Sequence, residues 1–325
     1  MKRLNVLHII DVWGWSYNYI CQDKQKYSKH NIIIKPVAEV SDHDIASCDL
    51  VWISSVDIND KARVEIPRMA RRHGKKVIGC YSGEIEKTYP IVDAVATISP
   101  PLYKWCLSQY PKNIPVIYVN ESIDAEYFTP VEANPNRFQV GYIGRLSPVK
   151  RIPLMDSLDY PILKQCDHGK QFFVANATLD KVREFHKQID VKVLTSSSEC
   201  KSRVLAEAMA SGLPCISTDV GAAKMMLSPE FVVDNGNESQ IREDFNTILS
   251  QLAEDFELRR DIGTRNREWV EKYFAWKTNM AGYDTVFETV FGGNYSGAKR
   301  VSDEWISQFQ STFDQAKPFT KRIDL

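Results

Sequence analysis

One segment, from Thr195 to Pro214, limits the fold more than any other part of this chain. It follows a short apolar run that fits the end of a buried strand, and its own apolar residues then recur at helical spacing. Ser202 can cap this helix at its N-terminus, while Gly212 and Pro214 are typical of a helix end. The run Cys215–Thr218 predicts a further strand. Such alternation of strand and helix is typical of α/β proteins.

Two carboxylates bracket the predicted helix N-terminus. Glu199 lies in the loop before the helix, and Glu207 lies about one turn beyond Arg203. The first turn of a helix exposes backbone N–H groups and the positive end of the helix dipole, which together favour a phosphate. A neighbouring carboxylate can accept hydrogen bonds from sugar hydroxyls. The segment is therefore suited to a phosphate with a sugar beside it.

A second segment with ligand-binding character runs from Val140 to Arg151. Gly141 and Gly144 have no Cβ atom, so the backbone can approach a ligand closely at both positions. Arg145 can make forked hydrogen bonds to phosphate oxygens, and Lys150 supplies a compact positive charge. This segment therefore also predicts a phosphate site.

Together the two segments resemble signatures of the family 4-like glycosyltransferases, which have the GT-B fold. Glu199 and Glu207 lie eight positions apart and precede Ala-Met-Ala-Ser-Gly-Leu-Pro, which resembles the donor-binding signature of that family. Gly144, Arg145 and the following leucine, with Lys150 further on, resemble the loop that holds the donor pyrophosphate. The signatures occur in the expected order, and the resemblance covers about residues 140–225.

The resemblance implies an α/β fold of GT-B architecture. This would be two Rossmann-like domains facing a cleft, with a C-terminal helical tail that crosses back to the N-terminal domain. We expect an acceptor-binding domain at 1–134 and a donor-binding domain at 135–325. The implied activity is that of a retaining, hexosyltransferase-like enzyme with a nucleotide-diphosphate sugar as co-substrate and no metal or other cofactor.

Specific roles follow from the resemblance. Glu199 would orient the donor sugar, and Glu207 would bind the ribose hydroxyls. Arg145 and Lys150 would neutralise the charge that develops on the departing diphosphate, in place of a divalent metal. In the family's same-face mechanism the leaving phosphate takes the acceptor's proton. The expected catalytic residues are Arg145, Lys150 and Glu199, and the expected donor-binding residues are Gly144, Ser202, Arg203 and Glu207.

Each of these side chains also has a simpler structural interpretation. Arg145 and Lys150 could be surface charges near a turn. Glu199 could cap the turn that follows it, and Glu207 could face solvent on a helix. The roles above therefore depend on these groups meeting around one site.

The chain departs from the family directly after the first glutamate. Relatives have Gly-Phe-Gly there, whereas this chain has Cys200, Lys201 and Ser202. The backbone donors remain, but the conformational freedom of glycine is lost. Lys201 or Arg203 could add positive charge at the phosphates.

An aromatic loop follows the first predicted strand, Val6–Ile10. In the family this loop at the domain cleft usually carries two glycines, and here it has one, flanked by tryptophans. An indole ring can lie against a sugar or a base, or it can pack in the core. A later strand ends in Tyr-Ser, where relatives often carry a histidine that faces the cleft. The expected acceptor-cleft residues are Trp13, Gly14, Trp15 and Tyr81.

Composition limits the class of partner and the compartment. The net charge is −1 at pH 7, so no global basic field demands nucleic acid or an anionic membrane. The seven cysteines are scattered without a Cys-x-x-Cys pair, which argues against a disulfide framework or a zinc site and favours the cytoplasm. The apolar run near the N-terminus ends at Asp11, too soon for a signal peptide or a membrane span.

Three functional alternatives stay open at this stage. A DNA glycosyltransferase acting on hydroxymethylated bases of viral DNA would use the aromatic loop and a group of basic residues. A nucleotide-sugar epimerase or hydrolase would need an acid–base pair, for which Asp11 and Glu84 are the candidates. A nucleotide-sugar binding module without activity is the third. The acceptor could be a glycan, a lipid-linked glycan or modified DNA. The basic residues are Arg68, Arg71, Arg72, Lys75 and Lys76.

Overall fold

Contacts divide the chain into two compact units. Unit 1 comprises Met1–Glu121 and Asn279–Leu325, and unit 2 comprises Ser122–Thr278. The computed structural model describes residues 2–14, 16–54, 61–82, 90–167 and 178–316. Among the helices of these residues, none combines the length and the apolar character that a membrane span requires.

Unit 1 is built on a parallel sheet that has six strands within the described residues. The strands are β1 (Asn5–Ile10), β2 (Asn31–Pro36), β3 (Leu50–Ser54), β4 (Lys76–Tyr81), β5 (Ala94–Thr97) and β6 (Val116–Tyr118). The helices are α1 (Ser16–Tyr27), α2 (Asp42–Ser47), α3 (Ile66–Arg72) and α4 (Pro100–Gln109). The strand order is β2-β1-β3-β4-β5-β6. All residues of β3 and β5 are buried, as expected for strands of a parallel sheet.

Unit 2 has a second parallel sheet, with five strands in the part of the chain that the structure describes. The strands are β7 (Val140–Arg145), β8 (Ile162–Asp167), β9 (Val191–Leu194), β10 (Cys215–Thr218) and β11 (Val232–Val233). The helices are α5 (Ile152–Asp156), α6 (Leu179–His186), α7 (Arg203–Ala210), α8 (Ala223–Met226), α9 (Glu238–Glu254) and α10 (Phe256–Tyr273). The strand order is β11-β10-β9-β7-β8.

In both sheets the order of the strands reverses at the first strand, so that the next two strands of the chain lie on opposite sides of it. In unit 1, β2 and β3 lie on opposite sides of β1, and in unit 2, β8 and β9 lie on opposite sides of β7. In open parallel sheets, ligands bind outside the carboxyl ends of the strands at such a switch point. The topology therefore directs attention to the loops that follow β1, β7 and β9.

The C-terminal helices belong to unit 1. They are α11 (Trp276–Phe291), most of which lies beyond the unit boundary, α12 (Ser296–Gln308) and α13 (Gln310–Gln315). Asp284 of α11 accepts hydrogen bonds from the Ser28 hydroxyl at 2.5 Å and the Lys29 N–H at 3.2 Å. The Ser302 hydroxyl of α12 accepts one from the Tyr118 N–H of β6 at 2.8 Å. The predicted return of the tail to the N-terminal domain is thus confirmed.

The division between the units falls earlier in the chain than the predicted boundary at residues 134 and 135. The Ile123 N–H donates to the Phe274 carbonyl at 2.8 Å, and the Val131 N–H donates to the Ser211 carbonyl at 2.9 Å. These bonds attach the segment after β6 to unit 2. Residues 122–134, which were predicted to belong to the N-terminal domain, therefore lie within unit 2.

Candidate functional site

Two loops meet at the switch point of unit 2. The β7 loop (residues 146–151) follows Gly144 and Arg145, and the β9 loop (residues 195–202) leads into α7. The Ser197 N–H donates to the Val149 carbonyl at 2.7 Å, and the Thr195 hydroxyl donates to the Lys150 carbonyl at 2.9 Å. The two predicted signatures therefore lie side by side, because β7 and β9 are neighbouring parallel strands.

Lys150 and Glu199 are in direct contact across the two loops. The Lys150 ammonium donates to Glu199 Oε1, and the two side chains are only 15% and 14% exposed. The Ser196 hydroxyl donates to the same oxygen at 2.8 Å. An ammonium has three N–H donors and a carboxylate has about four acceptor positions, so both groups retain capacity for a ligand. A cation suited to a phosphate and an acceptor suited to a sugar thus share one place.

Glu207 is buried rather than facing solvent. Its residue is 2% exposed, and its Oε1 accepts a hydrogen bond from Arg203 Nε at 2.8 Å. The pair lies one turn apart on α7, with side-chain exposures of 3% and 11%. Ser202 occupies the N-cap position, but its hydroxyl makes no capping hydrogen bond. The second predicted carboxylate is therefore held in a fixed orientation by an adjacent arginine.

The end of β7 is shaped by Tyr142. The Tyr142 hydroxyl donates to the Arg145 carbonyl at 3.0 Å, and a Cβ atom on Gly144 would lie 2.7 Å from that hydroxyl. Gly144 is thus required by the shape of the turn, and the Arg145 side chain is exposed. Gly141 has a packing role that the sequence did not indicate, because a Cβ atom there would lie 2.3 Å from the Ile189 side chain. It allows β7 to pack against Ile189.

The turn after β10 supports the β9 loop from its other side. Gly221 has a φ of +55°, and a Cβ atom on it would lie 2.1 Å from the Cys200 carbonyl oxygen and 2.5 Å from that of Glu199. The Thr218 hydroxyl donates to the Ser196 carbonyl at 2.6 Å. The backbone that carries Glu199 therefore rests directly on a position where only glycine fits.

We expect Gly221→Ala to lower the glycosyl transfer activity that the family resemblance implies about 10²-fold, because the methyl group displaces the loop that positions Glu199. Gly74→Ala is the matched control. Gly74 also has positive φ, at +64°, but nothing lies within 4 Å of its Cβ position. Both variants carry a backbone cost of roughly 1–2 kcal/mol. Steady-state kinetics and thermal melts on both variants separate the collision from this shared cost, and equal activity in the two would contradict the role given to Gly221.

A further network connects three loops and was missed by sequence reasoning. Arg151 is the non-glycine residue with positive φ, at 48°, among the described residues. Its Nη1 donates to Asn235 Oδ1 at 2.6 Å, and Asn235 Nδ2 donates to the Ser197 carbonyl at 3.0 Å. The strained arginine conformation is therefore held by the residue that also anchors the β9 loop. The sequence shows only an arginine directly after Lys150, and no periodic pattern indicates that its side chain connects these loops.

Lys201 and Arg203, considered as extra phosphate-binding charges, both interact within unit 2. The Lys201 ammonium lies 4.4 Å from the centroid of the Phe274 ring, and Lys201 is buried. Arg203 is bonded to Glu207 as described above. In this arrangement Lys201 anchors the β9 loop on an aromatic face.

The aromatic loop of unit 1 follows β1 at the other switch point. Trp13 is exposed, and its Nε1 donates to Glu39 Oε1 at 2.8 Å. Gly14 has a φ of +80° and ends the described part of the loop, since Trp15 lies outside the described residues. An exposed indole ring at this position is available for stacking against a ligand.

Tyr81, predicted among the acceptor-cleft residues, is a buried residue of unit 1. It lies at the end of β4, and its hydroxyl is hydrogen-bonded to that of Tyr110, the residue directly after α4. Its ring lies edge-on to Trp105, with the centroids 5.6 Å apart. The pattern of the sequence indicated the strand end but not the burial, which depends on the packing of α4.

The features behind the alternative functions have local partners where the structure describes them. Arg72 and Lys76 pair with Asp42 and Asp93 at 3.5 and 2.9 Å, and the Lys75 ammonium donates to a backbone carbonyl. The basic group is therefore partly neutralised within unit 1.

The structure describes one of the two residues considered as the acid–base pair of an epimerase. Asp11 Oδ1 accepts a hydrogen bond from the Val12 N–H at 2.8 Å, in the loop that follows β1. Glu84 lies outside the described residues.

Comparison with known protein families gives a match that lies within unit 2. The family model of group 1 glycosyl transferases matches residues 156–269. N-acetyl-alpha-D-glucosaminyl L-malate synthase of Bacillus anthracis is 34% identical over 123 residues, which are 36% of this chain and 31% of that protein. Sulfoquinovosyl transferase SQD2 of Arabidopsis thaliana is 27% identical over 187 residues, 47% of this chain and 36% of that protein. The matches thus span about a third of the length of these curated relatives.

Solved structures with low sequence identity share the fold over nearly the whole chain. Anabaena HepE in complex with UDP and glucose has a TM-score of 0.69 and 14% identity, covering 88% of this chain and 100% of that one. A glycosyltransferase from Rickettsia africae has a TM-score of 0.70 and 12% identity, covering 89% and 99%. Together with the family match and the two adjoining signatures, this likeness supports the predicted resemblance: residues 156–269 are similar to group 1 glycosyl transferases, and the chain has the GT-B fold.

Proposed function

We propose that the protein transfers a sugar from a nucleotide-diphosphate sugar to an acceptor hydroxyl, with retention at the anomeric carbon and without a metal ion. The contact between Lys150 and Glu199 is the single observation that carries this proposal. It brings a cation and a hydrogen-bond acceptor from two separate signatures to the switch point of a parallel sheet. The scattered cysteines favour the reducing cytoplasm as the place where it works.

The proposed reaction is a displacement at the anomeric carbon. The acceptor oxygen forms a bond to that carbon while the bond from the carbon to the diphosphate oxygen breaks, and its electron pair goes to the diphosphate. The acceptor's proton goes to a phosphate oxygen on the same face of the sugar. The products are a glycoside and a nucleoside diphosphate. Negative charge on the leaving group and positive charge on the ring both develop in the transition state, so fixed charges lower the barrier.

The residues of unit 2 fit these demands. Arg145, exposed at the end of β7, provides a guanidinium that matches phosphate oxygens, and the ammonium of Lys150 adds a compact charge. Glu199 orients the sugar through its remaining acceptor positions. Glu207, held by Arg203, accepts hydrogen bonds from the ribose hydroxyls. The N–H groups of the first turn of α7 face the carboxyl ends of the strands and favour the diphosphate.

The first donors to test are UDP sugars. Anabaena HepE, which shares the fold, was solved with UDP and glucose and also with UDP-glucose. The name of the Bacillus anthracis relative indicates an N-acetylglucosaminyl product. We propose a glycan or lipid-linked glycan as the acceptor. Modified DNA has less support as the acceptor, because basic residues of unit 1 that could contact it are already paired with carboxylates.

A thermal-shift panel of nucleotide sugars tests the proposal. A donor at 100 times its Kd should stabilise the protein by about 2.7 kcal/mol. We expect one base and one sugar to stand out, with the shift unchanged when EDTA is present. A shift that needs a divalent ion would contradict metal independence, and no shift with any nucleotide sugar would contradict the proposed function. Conversion of the donor in the absence of acceptor would favour the epimerase or hydrolase instead.

A further inference from the structure

A fully buried lysine lies in the central strands of unit 2. Lys192 is the second residue of β9 and is 0% exposed. Its neighbours along the strand are the apolar residues Val191, Val193 and Leu194, all buried. Lysine is almost never fully buried unless its ammonium has partners, because removing a charge from water is costly. Its position therefore requires a physical reason.

The contacts of Lys192 lead to the end of β7. The ammonium donates to the Ile143 carbonyl at 3.3 Å and lies 4.8 Å from the centroid of the Tyr142 ring. The hydroxyl of the same tyrosine donates to the Arg145 carbonyl. A Cβ atom on Gly144 would lie too close to that hydroxyl to be tolerated. Lys192 thus contacts the side chain that shapes the Gly144–Arg145 turn.

The charge of Lys192 also affects the pKa of His186, another buried residue of unit 2. Burial lowers the pKa of His186 to about 3, and the positive charge of Lys192 adds to this shift. Charges interact more strongly in the interior than in water, because the effective dielectric constant is lower. A cation that contacts Ile143 and Tyr142 on β7 therefore also favours the binding of an anion at the end of that strand.

We infer that Lys192 is a positioning residue of the diphosphate site. It holds the Tyr142 ring, and through the Tyr142 hydroxyl it fixes the turn that presents Gly144 and Arg145. Its charge adds a favourable potential behind the phosphates. The inference rests on the proposed function, since it assumes that the diphosphate binds at this turn. No motif of the sequence pointed to it, because a single lysine in a short apolar strand resembles an ordinary exposed position.

The alternative is that Lys192 serves only the stability of the sheet. Replacing a buried charged group with an apolar one of similar shape is often neutral or stabilising. Lys192→Met keeps the length of the side chain and removes the charge. A purely structural role would change stability and leave the preference for phosphates untouched, so the two roles predict different measurements.

The test is calorimetric binding of UDP and uridine, or of the pair with the base that the thermal panel selects. In Lys192→Met we expect Kd for UDP to rise about tenfold and Kd for uridine to stay the same, because only the diphosphate senses the turn and the charge. Tyr142→Phe, which removes the hydroxyl but keeps the ring, should weaken UDP in the same selective way. Lys187→Met is the control, since Lys187 is an exposed lysine paired with Glu184 on α6. It should bind both ligands as the wild type does.

Each result bears on a different claim. Unchanged UDP binding in Lys192→Met, or equal losses for UDP and uridine, would overturn the inference while leaving the proposed function in place. If Lys192→Met does not fold, the decision passes to Tyr142→Phe, and normal UDP binding there would overturn the inference. A wild-type protein that binds no nucleoside diphosphate would contradict the proposed function itself.

Discussion

Replacing Lys150 with alanine is expected to lower transfer activity about 10²–10³-fold, corresponding to roughly 3 kcal/mol of lost transition-state stabilisation. The ammonium is the cation that the structure places against Glu199 at the switch point of unit 2. Without it, the negative charge on the departing diphosphate loses its compact partner. The loss should appear mainly in kcat, because this charge is largest in the transition state.

Two further variants separate this effect from a change in the fold. Lys150→Gln keeps a hydrogen-bond donor for Glu199 but removes the charge, and it should lose activity to a similar extent. Lys164→Ala removes another ion-paired lysine of unit 2, bonded to Asp156 on α5, and should remain active. Thermal melts show whether each variant is folded. Near-normal activity of a folded Lys150→Ala protein would refute the assignment of the site.

Replacing Arg203 with alanine is expected to destabilise unit 2 by about 3–5 kcal/mol, because it removes the positive partner of a buried carboxylate. Glu207 is 2% exposed, so water cannot readily take the place of the guanidinium. Replacing both residues with leucine should recover most of this loss but should still abolish donor binding. Urea denaturation and nucleotide binding measured on the same samples distinguish the two effects.

The control for this prediction is an exposed pair with the same spacing. Arg300 and Glu304 on α12 are also four residues apart, with side chains 63% and 56% exposed. Arg300→Ala should change stability by no more than about 0.5 kcal/mol, since exposed pairs contribute little. Similar losses in the two arginine variants would show that burial of Glu207 is not the cause.

Local signals in the sequence were sufficient for the segment around α7. β9 and β10 lie where the apolar runs indicated, and Gly212 has the positive φ that a helix end requires, at +73°. These features depend on residues close together in the chain. β8 was not predicted, because Lys164 and Asp167 interrupt its apolar character.

Contacts between segments that are far apart in the chain could not be predicted from local sequence patterns. Lys150 and Glu199 are 49 positions apart, and only the pairing of β7 with β9 brings them together. The resemblance to a known family predicted their shared site, whereas periodicity alone did not. The burial of Tyr81 and the packing of Gly141 were missed for the same reason, since contacts with α4 and with Ile189 are properties of the folded chain. Prediction from sequence was most reliable where the residues that determine a structural element lie within the same segment.

The crystal structure of a complex with a nucleoside diphosphate is the most direct test of the central claim. We predict that the diphosphate oxygens lie about 2.7–3.2 Å from the side-chain nitrogens of Arg145 and Lys150. The ribose hydroxyls should be within hydrogen-bond distance of Glu207. A nucleotide bound elsewhere on the protein, with neither Arg145 nor Lys150 touching a phosphate, would contradict the account.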